Sequence, residues 1–169
     1  MSTQGNHRLL SDTHGYAHEG SAHVVIVRTS WNADILDALE GGCRNVLASK
    51  GVADVRTLNV PGAVEIPFAI RQSWESMKYR DAKPAAYIAL GCIIKGDTPH
   101  FDHVCNIVSQ GVLQLNLMLP VPTVFGVLTV NTPEQAWERL GGIHGHKGEE
   151  AAHTALSMVA LVRDLQRKR

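Results

Sequence analysis

Residues 87–104 read Tyr87-Ile-Ala-Leu-Gly-Cys-Ile-Ile-Lys-Gly-Asp-Thr-Pro-His-Phe-Asp-His-Val104, and this stretch decides the fold. Its first half is an unbroken apolar run, typical of a strand buried on both faces of a parallel sheet. The run stops at a polar turn, residues 95–99. Apolar residues then recur at helical spacing through residues 104–119. The stretch therefore predicts a strand, a short polar turn and a helix.

The turn is predicted to lie where a strand ends and a helix begins. Unpaired N–H groups and a partial positive charge at a helix amino end favour an anion such as phosphate. Gly96 permits close approach of a ligand to the backbone, Thr98 offers a hydroxyl and Lys95 adds a charge. His100 follows, and histidine exchanges protons near neutral pH. On composition alone, an ordinary strand-to-helix loop with a surface histidine remains an equal alternative.

Length and composition bound the class of protein. The 169 residues fit one domain, and Lys plus Arg equal Asp plus Glu at 16 each. This balance argues against a nucleic-acid or acidic-membrane partner. Charged residues are 19% of the chain, which hints at surface hidden between subunits. Three cysteines without metal-ligand spacing, and no membrane-length apolar run or signal-peptide pattern, favour a cytoplasmic protein.

The amino-terminal residues differ from the rest of the chain. Residues 1–21 are polar and aperiodic, so we expect a flexible tail followed by a single domain over residues 22–169. The histidines of the tail have irregular spacing. His144 and His146 alone do not define a metal site. We therefore expect no metal.

Strand-like and helix-like segments alternate along the chain. Strands are predicted at residues 22–28, 54–60 and 122–130 besides the central one, with amphipathic helices between them. The first helix is expected to be interrupted at Gly41-Gly42. The pattern predicts an α/β fold, in which a four-stranded parallel sheet lies between helix layers on both faces. Neither a dinucleotide-binding glycine motif nor a Walker loop is present.

Three motifs in order resemble one known family. Residues 91–104 are similar to the central motif of lumazine synthases, the penultimate enzymes of riboflavin biosynthesis. Residues 60–67 (Val-Pro-Gly-Ala-Val-Glu-Ile-Pro) match the same family, as do Phe125-Gly-Val-Leu-Thr, Glu134-Gln-Ala-Trp-Glu-Arg and Gly145-His-Lys-Gly within residues 125–148. The resemblance spans residues 22–167 and implies a flavodoxin-like three-layer sandwich.

The resemblance also implies a reaction. Members condense 5-amino-6-ribitylamino-pyrimidinedione with 3,4-dihydroxy-2-butanone 4-phosphate, giving 6,7-dimethyl-8-ribityllumazine, phosphate and water. No cofactor is needed. His100 matches the general acid/base of the family.

Each implied binding residue is carried over by its match to a family motif. The phosphate is expected at Gly96, Asp97, Thr98 and Arg139. The pyrimidine and ribityl chain are expected at Trp31, Ala63, Val64, Glu65, Cys92, Ile93, Ile94, Phe125 and Lys147. In the family, the residues that match Phe125, Arg139 and Lys147 come from a neighbouring subunit, so a homopentamer is expected. Pentamer pairs (decamers) and a sixty-subunit shell remain alternatives.

Some residues depart from the family pattern, and rival functions remain. Trp31 and Val64 stand where phenylalanine is common, Lys95 replaces an arginine, and Cys92 replaces a small residue. One rival is an archaeal-type riboflavin synthase, which would not require a phosphate anchor. Others are a non-catalytic lumazine- or flavin-binding protein and a self-assembling shell protein. The retained phosphate set favours lumazine synthase.

Overall fold

A parallel sheet of four strands organises residues 22–167, the part of the chain that the computed structural model describes. The strands are β1 (His23–Thr29), β2 (Asp54–Val60), β3 (Ala86–Ile94) and β4 (Thr123–Val130). Their order is β2-β1-β3-β4, and every neighbouring pair is parallel. The tail predicted for residues 1–21 lies outside the described residues.

Helices cover both faces of this sheet. They are α1 (Ala33–Ser49), α2 (Ile66–Met77), α3 (His100–Met118), α4 (Pro133–Trp137) and α5 (Lys147–Arg167). One apolar core joins α1 and α5 to the sheet, and a second joins α2 and α3 to its other face. Parallel strands need such crossovers, which lay helices on the sheet faces. The predicted α/β three-layer sandwich with flavodoxin-like strand order is confirmed.

Strand alternation explains the unbroken apolar runs. In β1, Val24 and Ile26 pack into the core under α1 and α5, whereas Val25 and Val27 pack into the core under α2 and α3. Successive side chains point to opposite faces of a strand, so a strand covered on both faces needs apolar residues at every position. The same holds for β3, whose residues from Ala86 to Leu90 are wholly buried.

The predicted interruption of the first helix is wrong, because α1 runs through both glycines without a break. Gly42 lies against the imidazole of His146, so a Cβ there would overlap the ring. His146 belongs to a short antiparallel hairpin, β5 (Leu140–Gly142) and β6 (Gly145–His146), that the sequence pattern did not predict. Gly42 leaves room for the His146 ring, so packing of the hairpin against α1 explains why this helical position is a glycine.

Glu40 is the centre of a polar network between α1 and strands β1 and β2. Its carboxylate accepts hydrogen bonds from Arg28 at 2.9 Å, Arg44 at 2.6 Å and Thr57 at 2.6 Å. Arg28 also pairs with Asp37 at 2.7 Å. Glu40 is only 8% exposed. Burial opposes ionisation of the carboxyl, but the hydrogen bonds from its three partners outweigh it and lower the pKa of Glu40.

Replacing Glu40 with glutamine is expected to lower the free energy of unfolding by about 2–3 kcal/mol at neutral pH, since it removes the buried charge that partners Arg28. Because the folded pKa of Glu40 lies below 4.5, its contribution is present above that pH and is lost as pH falls through the folded pKa. Urea unfolding at about pH 7 and about pH 4 measures both effects. The gap between wild type and variant should shrink on acidification.

Glu75→Gln is the matched control, because Glu75 forms an exposed pair with Lys78 at 2.6 Å on the surface of α2. Exposed pairs contribute little, so its urea midpoint should stay near that of wild type. A gap for Glu40→Gln that does not change with pH would contradict the assigned role of the carboxylate.

Candidate active site

Three loops gather at the carboxyl edge of the sheet. Trp31 follows β1, a 3₁₀ turn (Ala63–Glu65) follows β2, and residues 95–99 lead from β3 into α3. Since β2, β1 and β3 are adjacent and parallel, their carboxyl ends meet at one edge, where ligands bind such sheets. This places the predicted residues Trp31, Ala63, Val64 and Glu65 beside the predicted phosphate turn.

Trp31 is an exposed aromatic platform at this edge. The side chain is 72% exposed, so few contacts in the chain cover the indole. A Cβ built on Gly62 would lie 3.9 Å from Trp31 Cδ1, which puts the glycine beside the ring. The residue before Trp31 is held in place, because the Ser30 N–H donates to the carbonyl of Val60 at 2.9 Å. The loops after β1 and β2 thus form one surface.

Glu65 closes the turn after β2 and stands directly before α2. The Gly62 N–H donates to Glu65 Oε2 at 2.9 Å, which orders the turn. The following α2 carries Pro67 in its first turn, where a missing N–H costs nothing. Glu65 and Val64 are exposed, and Ala63 is half-buried. The turn therefore offers a carboxylate and backbone groups to the same surface as Trp31.

The segment from β3 into α3 passes from buried to exposed. Cys92 is buried, Ile93 and Ile94 are half-buried, and Lys95 through His100 are exposed. His100 is the first residue of α3, and no side chain caps that helix end. Gly96, Asp97 and Thr98 lie just before it. Backbone N–H groups at such an end suit an anion, and a histidine there is placed to exchange protons with it.

The Cys92 thiol is not an activated nucleophile. Burial raises the pKa of Cys92 to about 11, so the thiol stays protonated at neutral pH. Burial likewise raises the pKa of Cys43 to about 12, with a further contribution from the charge of Glu40. Cys92 therefore enters the site as a packing residue and through its main chain.

A second group of predicted residues lies on another part of the molecule. Phe125 and Lys147 line one open groove of about 440 Å³ along the free edge of β4, between α3 and α5. Phe125 is 42% exposed. The carbonyl of Arg139 accepts the Lys147 N–H at 2.9 Å, which ties Arg139 to the same flank. Lys147 also pairs with Glu150 at 2.8 Å.

Phe125 and Trp31 do not meet within one chain. Phe125 pairs with Ala89 near the start of β4, five residues before the strand ends at Val130. At ~3.3 Å per residue it lies about 16 Å below the carboxyl edge. Trp31 is also displaced sideways, because β3 separates β1 from β4. Phe125 and the carboxyl-edge loops are therefore separate within one chain.

Metal binding finds no support in the described part of the chain. Within residues 22–167 no group of three His, Cys, Asp or Glu is arranged to hold a metal ion. His146 Nδ1 instead accepts the Gly148 N–H at 3.2 Å, and its ring packs on Gly42. None of the helices in the same range has the length and apolar character to cross a bilayer.

Comparison with known proteins agrees with the three motifs. A sequence model of the 6,7-dimethyl-8-ribityllumazine synthase family matches residues 21–163. A protein of that name from Parabacteroides distasonis is 42% identical over 139 residues, which cover 81% of this chain and 84% of that protein. One from Bacteroides fragilis is 43% identical over 144 residues, covering 84% and 97%. One from Cytophaga hutchinsonii is 44% identical over 137 residues, covering 80% and 83%. This chain belongs to the 6,7-dimethyl-8-ribityllumazine synthase family.

Proposed function

We propose that this chain condenses 5-amino-6-ribitylamino-pyrimidinedione with 3,4-dihydroxy-2-butanone 4-phosphate to give 6,7-dimethyl-8-ribityllumazine, phosphate and water. The observation that carries the proposal is the meeting of Trp31, Glu65 and the residue 95–100 segment at one sheet edge, in a chain of this family. An aromatic platform, a polyol acceptor, an anion site and a proton donor together match the two substrates.

The reaction needs proton transfers and close placement of two substrates. The primary amine of the pyrimidine condenses with the ketone and releases water, and phosphate is then eliminated. The ribityl-bearing amine attacks the carbonyl that this elimination leaves, and loss of a second water closes the new ring. His100 is assigned as the general acid/base, because it is the exposed imidazole at the phosphate turn. Holding both substrates in contact supplies much of the remaining rate enhancement.

The phosphate is assigned to the turn before α3. Gly96 and Thr98 offer backbone N–H groups and a hydroxyl beside the amino end of that helix. Asp97 supplies its backbone, with its carboxylate expected to point away from the anion. Arg139 is the second anchor, since its planar guanidinium binds phosphate oxygens in pairs.

The pyrimidine is assigned to the surface formed by the first three loops. The Trp31 indole stacks on the ring, and the turn Ala63–Glu65, which includes Val64, holds the ribityl chain and the ring edge. Main-chain groups of Cys92, Ile93 and Ile94 border the ring from β3. Phe125 and Lys147 are assigned to its opposite side.

Phe125, Lys147 and Arg139 are assigned to a neighbouring copy of the chain. Two features support this assignment: the separation of Phe125 from the carboxyl-edge loops within one chain, and the free edge of β4. An open strand edge beside a groove needs a cover, and the flank carries exposed apolar side chains, Leu117, Met158 and Leu161. A homopentamer with an active site at each interface satisfies both.

Light scattering distinguishes pentamers, decamers and sixty-subunit shells. A predominant monomer would contradict the shared site.

The protein is assigned to the cytoplasm, where thiols stay reduced. The three free cysteines, Cys43, Cys92 and Cys105, support this assignment. Residues 22–169 are assigned to one domain.

The deciding experiment is product formation from the two substrates, followed by the absorbance and fluorescence of the lumazine. Wild-type protein is expected to form it without added metal or cofactor. Folded protein that binds 6,7-dimethyl-8-ribityllumazine but forms none from the substrates would instead be a binding protein. Conversion of two lumazines into riboflavin would identify a riboflavin synthase.

A further inference from the structure

We propose that Asn32 is a positioning residue that holds the Trp31 platform at a set distance from the β3 main chain and so determines affinity for the pyrimidine ring. The substrate identity rests on the proposed function. The structural relation between Asn32, Trp31 and Cys92 does not depend on it.

The backbone of Asn32 is unusual. Its φ of 56° and ψ of 51° are left-handed, and no other non-glycine residue within residues 22–167 has a positive φ. Asparagine enters this region more readily than most residues, but the conformation still costs energy. Such backbone strain persists where surrounding contacts hold it and where a site depends on it. Asn32 directly follows the exposed Trp31.

The side chain of Asn32 gives up its usual local role. Asparagine before a helix commonly caps the first turn through its side chain, but at α1 no such bond forms. Instead Asn32 Nδ2 donates to the carbonyl of Cys92, 60 residues away, at 3.1 Å. The Asn32 carbonyl still accepts the Leu36 N–H at 3.0 Å, so α1 keeps its first backbone bond.

This hydrogen bond continues the sheet beyond the end of β1. Pairing of β1 with β3 stops at Arg28 opposite Leu90. Strand β3 runs on to Ile94, paired only with β4. The amide of Asn32 therefore satisfies a β3 carbonyl that a longer β1 would have satisfied. That carbonyl belongs to Cys92, the first of the three residues assigned to border the ring.

Trp31 is consequently fixed from both sides. Ser30 is bonded to the last residue of β2 through its N–H at 2.9 Å and its hydroxyl at 3.2 Å. Asn32 is bonded to β3. Because the indole itself is largely exposed, these two neighbours decide where it stands. In the proposed complex, the flat ring lies between the Trp31 indole and the β3 main chain.

Two substitutions separate the side-chain bond from the backbone conformation. Asn32→Gly keeps left-handed dihedrals without strain but has no amide, and Asn32→Asp keeps the shape but has no donor. Both are expected to raise the Kd for 6,7-dimethyl-8-ribityllumazine, measured by fluorescence titration, about tenfold. The KM for the pyrimidine should rise by a similar factor, whereas the KM for the butanone phosphate should change less than about twofold.

A double-mutant cycle with Trp31→Ala tests the route of the effect. If Asn32 acts through Trp31, adding Asn32→Gly to Trp31→Ala should weaken ring binding by less than about twofold further. Asn131→Asp, the same change at an exposed residue after β4, should leave the Kd unchanged. The glycine variant decides the outcome should the aspartate variant fail to fold.

Equal losses for both substrates, or full additivity with Trp31→Ala, would overturn the proposal and leave Asn32 a purely structural residue. So would wild-type ring affinity in both variants. A wild-type protein that binds the lumazine without making it would refute the proposed function alone. The titration would still report on Asn32.

Discussion

Replacing His100 with alanine is expected to lower kcat by ~10²–10⁴-fold, the usual contribution of a positioned general acid/base. The imidazole stands exposed at the start of α3, beside the turn assigned to phosphate. Because it contributes to proton transfer more than to binding, the KM values of both substrates should change far less than kcat. Steady-state rates of lumazine formation, with each substrate varied in turn, measure this difference.

His103→Ala is the matched control for that experiment. His103 is exposed one turn further along α3, and its N–H donates to the Pro99 carbonyl at 3.4 Å. Removing its imidazole should leave kcat near the wild-type value. An equal loss in both variants would assign the effect to the helix rather than to proton transfer at His100.

Mixing two inactive variants is expected to restore activity. His100→Ala lacks a residue of the carboxyl-edge half-site, and Arg139→Ala lacks one beside the β4 groove. In random mixtures of the proposed pentamer, about one quarter of the interfaces join an intact edge to an intact Arg139, because each side is intact with a chance of one half. Dissociation and reassembly of an equimolar mixture should therefore recover about a quarter of wild-type activity.

The control mixture combines His100→Ala with Trp31→Ala. His100 and Trp31 both belong to the carboxyl edge. Whichever variant supplies that edge to an interface therefore carries one of the two defects, and activity should not return. A failure of the first mixture, with subunit exchange verified by native mass spectrometry, would locate the whole site within a single chain. That result would also remove the main support for a pentamer.

Local pattern was sufficient for the four strands of the sheet, but not for the β5–β6 hairpin. The apolar run before Gly91 predicted β3, and the polar break after Ile94 predicted the turn from which His100 begins α3. These signals are readable in sequence because strand burial and helix periodicity act between near neighbours. The predicted second strand matches β2 at both ends. The side-chain types that suit phosphate and proton transfer were equally visible, and the family comparison agrees with the resemblance to lumazine synthases.

Tertiary contacts decided what no local pattern carries. The glycine pair in α1 looked like a helix break, but Gly42 is there because the His146 ring needs its space. The amide of Asn32 donates to the carbonyl of Cys92, 60 residues away, and no pattern near Asn32 in the sequence indicates that contact.

The placement of Phe125 and Lys147 was also decided by tertiary structure. Phe125 and Lys147 share a groove at the β4 edge, apart from Trp31. The sequence by itself determined the four strands of the sheet and the side-chain types available to the site, because those depend on residues a few positions apart. Which side chains meet was decided only by the packed structure, since strand order, register and close helix contacts depend on residues far apart in the chain.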